Sequence, residues 1–161
     1  MDVIWSPWRY DYITKSQGPI ANDCVFCDIL QNSASDEENF ILHRAEFNFA
    51  ILNVYPYTSG HMMVLPYDHI ASPVEASKAS TDEMMDLVKL FTERIGSIYK
   101  SDGINIGMNL GRAAGAGVAS HYHMHLLPRW VGDANFMTAI GETRTLPEDL
   151  RTTFDKLRIV R

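Results

Sequence analysis

Three histidines stand at alternate positions in one short segment, which reads His121-Tyr-His123-Met-His125-Leu-Leu. Alternate residues of a β-strand share a face, so this spacing predicts three imidazoles in a row, about 6.5–7 Å apart, with the intervening side chains directed into the core. A neutral imidazole can act as a nucleophile, a proton donor or a metal ligand. Three interpretations are therefore open: a histidine-rich surface strand, a metal site, or a catalytic row of histidines.

A Cys-x-x-Cys motif near the amino terminus contains both cysteines of the chain, Cys24 and Cys27. Two cysteines form at most one disulfide, which excludes a secreted scaffold held together by several disulfides. A thioredoxin-type redox motif requires a βαβ context, and the surrounding sequence does not predict one. The remaining interpretations are two buried structural thiols, or half of a tetrahedral zinc site that needs two more ligands.

Charge is distributed unevenly along the chain, whose formal net charge is −6. Residues 1–102 hold 15 acids and 7 bases, whereas residues 103–161 hold 5 acids and 7 bases. The segment 103–132 contains no acid, three of the six histidines, and the cations Arg112 and Arg129. Because the local potential decides what a cleft attracts, this segment is a candidate anion site. The acidic balance of the whole chain argues against nonspecific binding to a nucleic-acid polymer.

Size and composition bound the class of protein. A length of 161 residues fits a single domain, 1–161, and 46% hydrophobic with 21% charged residues excludes a disordered chain. The apolar runs are too short to span a membrane, and no basic segment precedes an apolar signal sequence. We therefore expect a soluble, cytoplasmic protein with no membrane partner.

Hydrophobic patterns predict the elements that would position the histidines. Strands are predicted at residues 47–53, 61–67, 104–110 and 120–127. A long helix is predicted from a capping box of Ser80 and Glu83 to a stop at Gly103 in a left-handed conformation. Residues 111–117 form a glycine- and alanine-rich loop, and residues 147–157 predict a shorter helix. A hairpin, a helix and two further strands make an α+β domain with a mainly antiparallel sheet.

The histidine segment resembles the signature of the histidine triad (HIT) superfamily, in which three histidines alternate with apolar residues. The other motifs follow in the same order as in that family: an Asn-x-x-Pro-x-x-x-Gly-His block starting at Asn53, the long helix, a strand ending at Asn109, and the glycine loop. The blocks at 5–9 and 128–136 resemble the branch of dinucleoside polyphosphate hydrolases and diadenosine tetraphosphate phosphorylases.

The resemblance implies a HIT-like fold, with a mainly antiparallel sheet of about five strands, one long helix and a shorter C-terminal helix. The chain would divide into an N-terminal extension at 1–23, a core at 24–136, and a helix and tail at 137–161. The resemblance also implies a homodimer, built around the long helix and adjoining sheet edges, that binds a nucleotide and uses no organic cofactor.

The activity implied by the resemblance is nucleotidyl transfer from a dinucleoside polyphosphate such as diadenosine tetraphosphate. His123 would attack the α-phosphorus to form a covalent nucleotidyl-imidazole, and His125 would donate to the phosphate or leaving-group oxygens. Further substrate contacts are implied for Asn53 at the ribose, Asn109 near the phosphates, and the backbone of Gly115, Ala116 and Gly117. A purine nucleotide-binding regulatory protein and a nucleoside phosphoramidate hydrolase are the alternative functions.

A structural zinc is also implied, because many bacterial proteins that this chain resembles hold one through a cysteine pair. The resemblance assigns the ligands to Cys24, Cys27, His69 and His121. A Cys₂His₂ set leaves no open coordination position, so the metal would stabilise the fold and orient the triad strand. One triad histidine would then bind metal, and two would remain for chemistry.

One loop departs from the family pattern, and two other residues have a structural interpretation. The loop before the triad commonly reads Gly-Gln-Ser or Gly-Gln-Thr in the family, whereas this chain reads Gly115-Ala-Gly-Val-Ala-Ser. Backbone contacts to phosphate remain there, and the glutamine and hydroxyl contacts do not. From the residues alone, Asn53 can equally be a turn-starting asparagine. We expect His61 to be a structural, hydrogen-bonded histidine.

Overall fold

The computed structural model describes residues 24–32, 34–134 and 147–159. Its helices are α1 (Val25–Gln31), α2 (Lys78–Tyr99) and α3 (Leu150–Leu157). Its strands are β1 (Ile41–Arg44), β2 (Asn48–Leu52), β3 (Met62–Pro66), β4 (Gly103–Gly107) and β5 (Met124–Arg129). The predicted extension at 1–23, the block at 5–9 and the last two residues of the block at 128–136 lie outside the described residues.

The five strands form one sheet in the order β1-β2-β3-β5-β4, and every neighbouring pair is antiparallel. The predicted α+β class with a five-stranded antiparallel sheet is confirmed. Strand β3 pairs with β5 so that Met63 lies opposite His125. This register brings the strand that follows the Gly-His block directly beside the strand that carries the end of the triad.

Both faces of strands β2 and β3 are buried, and each face belongs to a different core. Alternation along β2 and β3 sends neighbouring side chains to opposite sides. One core lies between the sheet and helices α2 and α3, and its central side chains include Leu52, Val64, Phe91, Tyr122 and Leu157. The other lies beneath helix α1 and contains Cys24, Phe26, Ile41, Phe49, Ile51, Met63 and Leu65.

Helix α2 begins at a different residue from the predicted one. Ser77 is its N-cap, because the Ser77 hydroxyl accepts a hydrogen bond from the Ser80 backbone N–H at 3.1 Å. The predicted capping box of Ser80 and Glu83 is wrong. The Glu83 carboxylate instead accepts the backbone N–H groups of Glu46 and Phe47, at 2.9 and 2.8 Å, and so ties the turn before β2 to the helix.

The end of α2 and the start of α3 also differ from prediction. Lys100 adopts the left-handed conformation that ends α2, with φ of 50°, and Gly103 opens strand β4 instead. The N-cap of α3 is Asp149, whose carboxylate accepts the Thr152 N–H, so Pro147 precedes the helix. Among the described helices, none has the length and apolar character to cross a membrane.

Strand β5 begins at Met124, four residues after the predicted start at 120. His121 and His123 therefore lie ahead of the strand, in a segment without regular secondary structure. This segment is held against the chain after β3, because the Tyr122 N–H donates to the Ile70 carbonyl at 2.9 Å. Strand β1 and helix α1 were not predicted from the sequence.

Candidate active site and metal centre

The three alternating histidines lie on the α1 side of the sheet. His121 and His123 are buried, and the rings of His123 and His125 are 4.8 Å apart at an interplanar angle of 77°. Phe26 of α1 packs against His121 and His123, with ring centroids 5.5 and 5.2 Å away. The intervening Tyr122 is buried in the opposite core, as the alternation predicts.

The protonation of His123 follows from its one hydrogen-bond partner. Its Nδ1 lies 2.9 Å from the backbone carbonyl oxygen of His121, which can only accept, so Nδ1 carries the proton. Nε2 therefore keeps its lone pair. Burial lowers the pKa of His123 below its ordinary value and favours the neutral ring. A neutral imidazole with one free nitrogen has the form that a nucleophile requires.

A second chain of hydrogen bonds orients His125 in the opposite sense. The Tyr57 backbone N–H donates to Nδ1 of His61 at 3.1 Å, so the His61 proton is on Nε2. His61 Nε2 lies 2.9 Å from His125 Nδ1 and donates to it. The proton of His125 is consequently on Nε2, where it is available to a ligand. His123 and His125 thus offer opposite functions, an electron pair and an N–H donor.

The surroundings of His61 and His125 favour the neutral form of both rings. Burial, together with the neighbouring His125 and His123, lowers the pKa of His61 to about 3. Burial and then His123 lower the pKa of His125 to about 4. His61 is therefore more than the structural histidine expected from the sequence, because its tautomer determines the proton position on His125. No signal in the sequence identifies this role, because it depends on the register that places β3 beside β5.

Cys24, Cys27, His69 and His121 form a cluster in which one ligand atom from each residue lies within 4.8 Å of the others. Cys24 is the N-cap of α1, and Cys27 lies in the first turn of that helix. His121 Nε2 lies 2.9 Å from the Pro66 carbonyl and donates to it, which leaves the Nδ1 lone pair directed at the cysteines. The four residues can therefore present two thiolates and two imidazole nitrogens to one ion.

Three of the six distances between the ligand atoms of this cluster are close to those around a tetrahedral metal. Sγ of Cys24 is 3.4 Å from His121 Nδ1, and Sγ of Cys27 is 3.2 Å from His69 Nδ1 and 3.7 Å from His121 Nδ1. In a tetrahedral site with bonds of about 2.0–2.3 Å, neighbouring ligand atoms are about 3.3–3.8 Å apart. Two soft sulfur and two nitrogen ligands are also the donor set of closed structural zinc sites.

The predicted substrate-binding residues lie in two loops. The Asn53 side-chain oxygen accepts the Tyr55 N–H at 2.9 Å and so starts a turn, while its amide nitrogen lies 3.4 Å from the His61 ring nitrogens. Asn109 lies beside Gly115, its amide nitrogen 3.8 Å from the position that a Cβ there would take. Gly115 is in the left-handed region, with φ of 92°, where glycine is favoured.

Hydrogen bonds divide the glycine loop into two parts. The N–H groups of Gly115 and Ala116 donate within the loop, to the carbonyls of Arg112 and Gly111 at 3.0 and 3.3 Å. Within the described parts of the chain, the N–H groups of residues 117–120 have no protein acceptor. This run of four donors lies immediately before His121. Of these four residues only Gly117 is implied by the family resemblance, because the sequence does not show which N–H groups are used in hydrogen bonds within the turn.

The two cations of the acid-free segment have different surroundings. Arg129 donates to both carboxylate oxygens of Asp133, at 2.5 and 2.8 Å, and to the Asn105 side chain at 2.8 Å. Arg112 is exposed and has no acidic partner in the described residues. Arg112 is therefore the cation of the glycine loop that remains available to an anion, whereas Arg129 joins Asp133 to Asn105.

Comparison with known proteins agrees with this geometry. The sequence model of the HIT domain matches residues 34–131, which include the whole histidine row. The chain belongs to the HIT family. It is 35% identical over 158 residues to the AP-4-A phosphorylase of Mycobacterium tuberculosis, covering 93% of this chain and 79% of that protein.

Two solved HIT structures are similar to this fold. The Zn-bound histidine triad family protein of Mycobacterium smegmatis has a TM-score of 0.68 at 28% identity, covering 84% of this chain and 90% of that one. The hypothetical histidine triad nucleotide-binding protein of Sulfolobus tokodaii has a TM-score of 0.62 at 29% identity, covering 83% and 93%. The row of His121, His123 and His125 is thus the histidine triad of a HIT protein.

Proposed function

We propose that this HIT protein transfers a nucleotidyl group from a dinucleoside polyphosphate, diadenosine tetraphosphate in the first place, through a covalent intermediate on His123. The observation that carries the proposal is the opposite protonation of two adjacent rings. His123 offers a lone pair on Nε2, and His125, 4.8 Å away, offers an N–H. The name of the mycobacterial AP-4-A phosphorylase, which this chain matches along most of its length, supports the same substrate class.

The first half-reaction forms a P–N bond and breaks a P–O bond. Nε2 of His123 attacks the α-phosphorus, and the His121 carbonyl stabilises the positive charge that develops on the ring by accepting from Nδ1–H. His125 donates from Nε2 to the oxygen that leaves with the polyphosphate. His61 donates to His125 Nδ1 in turn and so keeps the His125 proton on Nε2, and the polyphosphate leaves as an anion stabilised by the hydrogen bond from that N–H.

The second half-reaction reverses these bond changes with a new acceptor. Water or inorganic phosphate enters where the polyphosphate departed and attacks phosphorus. The P–N bond breaks and its electron pair returns to Nε2 of His123, while the proton of an attacking water passes to solvent. The products are a nucleoside monophosphate if the acceptor is water and a nucleoside diphosphate if it is phosphate. No step in this scheme requires an organic cofactor.

The glycine loop supplies the contacts that hold the phosphates. The free N–H groups of residues 117–120 can donate to the α-phosphate oxygens, and Gly115 and Ala116 shape the loop that presents them. Asn109, beside Gly115, lies within the same loop structure. Asn53 Oδ1 has a second lone pair besides the one used by Tyr55, and that lone pair can accept a ribose hydroxyl.

Zinc is the ion that the Cys24, Cys27, His69 and His121 cluster would hold, as a structural metal. It would fix the position of His121, whose carbonyl in turn holds the proton of His123. All four positions of a tetrahedral site are filled by protein, so the metal has no position for substrate. The ligand set therefore supports a role in positioning the nucleophile and stabilising the fold.

The experiment that tests the function separates the two acceptors. Purified protein is incubated with diadenosine tetraphosphate, with and without inorganic phosphate, and the nucleotides are separated by chromatography. A hydrolase yields AMP and ATP in both mixtures, and a phosphorylase yields ADP and ATP only when phosphate is present. Absence of turnover in both mixtures would contradict the proposed function.

A nucleotide-binding regulatory protein is the second candidate, and the glycine loop favours it. The loop lacks the glutamine and the hydroxyl of the Gly-Gln-Ser loop that is common in HIT proteins, so those side-chain contacts to phosphate are missing. The same incubation distinguishes the two functions if nucleotide binding is measured in parallel. Binding of AMP without turnover of diadenosine tetraphosphate or a nucleoside phosphoramidate would support the regulatory candidate.

We also propose that the protein is a homodimer joined along β4. The two edges of the sheet differ, because the β1 edge is covered where the Ile159 N–H donates to the Leu42 carbonyl at 3.1 Å. Strand β4 pairs only with β5 in the described residues, and its Ile106 side chain is 46% exposed. An open edge with an exposed apolar side chain invites pairing with a second copy across a two-fold axis.

Replacing Ile106 with Lys tests this dimer. A charge at the centre of β4 disfavours edge-to-edge pairing, so the variant should be monomeric while the wild type is dimeric. Light scattering coupled to size exclusion measures the mass, against 18.2 kDa for one chain. The matched control is Val74→Lys, at an exposed position in the loop between β3 and α2, which should leave the mass unchanged. A monomeric wild type would contradict the proposal.

A further inference from the structure

Tyr57 is a half-exposed aromatic residue that the proposed reaction does not yet use. It lies in the loop between β2 and β3, and 47% of the residue is exposed. Its ring is tilted against that of His61, with centroids 4.8 Å apart, and lies 6.3 Å from the ring of His125. The described ring contacts of Tyr57 involve these two histidines and not His123. Tyr57 therefore borders the His125 side of the triad.

The loop holds Tyr57 in place from both ends. The Tyr57 N–H donates to His61, and the His61 N–H donates back to the Thr58 carbonyl at 3.2 Å. At the start of the loop, the Asn53 N–H donates to the His61 carbonyl at 3.1 Å. The ring is thus held by its contact with the His61 ring and at its base by the backbone, while about half of the residue is exposed to solvent. A ring held in this way loses little freedom when a ligand binds to it.

The phenol hydroxyl of Tyr57 has no hydrogen-bond partner in the described residues. A tyrosine hydroxyl can donate to a phosphate oxygen, and hydrogen bonds to charged acceptors are the stronger ones. His125 faces the oxygen that links the α-phosphate to the leaving group in the proposed reaction. A donor beside His125 is therefore adjacent to the next phosphate of the chain and not to the nucleoside that remains on His123.

We propose that Tyr57 is a specificity-determining residue, whose hydroxyl donates to the polyphosphate leaving group and so favours substrates with a phosphate chain. The inference rests on the proposed function, because the position of the leaving group is inferred from the role proposed for His125. It assigns Tyr57 no part in bond making or breaking. For substrates whose leaving group carries no phosphate, removal of the hydroxyl should not change kcat/KM.

The test compares two substrates that share the transferred group and differ in the leaving group. Tyr57→Phe keeps the ring and removes the hydroxyl. We expect its kcat/KM for diadenosine tetraphosphate to fall about tenfold or more, as for a hydrogen bond to a charged group, and its kcat/KM for adenosine phosphoramidate to stay unchanged. Tyr57→Leu also removes the ring contact with His61 and should lower kcat/KM for both substrates. An equal loss on both substrates with Tyr57→Phe, or no loss on either, would overturn the proposal.

A binding measurement tests the contact independently of turnover. Calorimetry gives the affinities of wild type and Tyr57→Phe for AMP, which has only the α-phosphate, and for ATP, which carries the further phosphates. Tyr57→Phe should weaken ATP about tenfold and leave AMP unchanged. Equal affinities of the two proteins for ATP would overturn the inference. If wild type turns over neither substrate, the proposed function fails, and the ratio of ATP to AMP affinity still decides the Tyr57 contact.

Discussion

His123→Asn should lose turnover of diadenosine tetraphosphate almost completely, by on the order of 10⁴-fold or more, which is about 5.5 kcal/mol in the reaction barrier. The asparagine side chain can still donate to the His121 carbonyl, the acceptor that lies 2.9 Å from Nδ1 in the wild type. It has no basic nitrogen with which to attack phosphorus. The variant therefore removes the nucleophile and preserves the local hydrogen bond.

Nucleotide affinity separates loss of chemistry from loss of the site. The free N–H groups of residues 117–120 do not depend on the His123 ring, so we expect ATP to bind His123→Asn within about threefold of its wild-type affinity. His43→Asn is the matched control, because His43 lies in β1, outside both histidine clusters, and should keep full turnover. Turnover by His123→Asn at more than a few per cent of the wild-type rate would exclude His123 as the nucleophile.

Loss of the metal should have the largest effect on stability. Cys24 is 2% exposed, and its sulfur lies 3.4 Å from His121 Nδ1, so the cluster joins α1 to the triad segment. A ligand present at a thousandfold of its Kd stabilises a fold by about 4 kcal/mol. For a chain of this size that corresponds to a fall in Tm of about 10 °C when the metal is absent. Cys24→Ser and Cys27→Ser should each produce this fall.

Metal content and thermal unfolding check this prediction together. Wild type should contain one zinc per chain by elemental analysis, and chelation should lower its Tm toward that of Cys27→Ser. His43→Gln, which changes a histidine outside the cluster, should keep the metal. Less than about half an equivalent of zinc in wild type, or an unchanged Tm in Cys24→Ser, would contradict a structural metal.

The elements that could be predicted are those whose residues follow a local spacing pattern. The long helix and the strands around 47–53 and 61–67 follow from hydrophobic periods, and the structure has them with shifted ends. The predicted capping box does not form, because the Glu83 carboxylate accepts N–H groups from a turn 36 and 37 residues earlier in the chain. Local sequence gives no sign of such a partner.

The residues of the site could be predicted in part, and the roles that depend on tertiary structure could not. Spacing alone placed the histidines of the triad on one face, and the family resemblance supplied the four metal ligands that the structure brings within 4.8 Å. The role of His61 could not be predicted, since it depends on the antiparallel register that pairs Met63 with His125. The same applies to the glycine loop, where tertiary geometry decides which N–H groups remain free.

Trapping the intermediate tests the central claim most directly. Protein is mixed with diadenosine tetraphosphate, stopped within one turnover in alkaline denaturant, digested, and analysed by mass spectrometry. We expect the peptide that contains residues 121–125 to gain the mass of one adenylyl group, with fragmentation locating it on His123, and we expect no such gain in His123→Asn. Rapid turnover with no adduct at any time point, or an adduct on another residue, would contradict a covalent nucleotidyl-His123 mechanism.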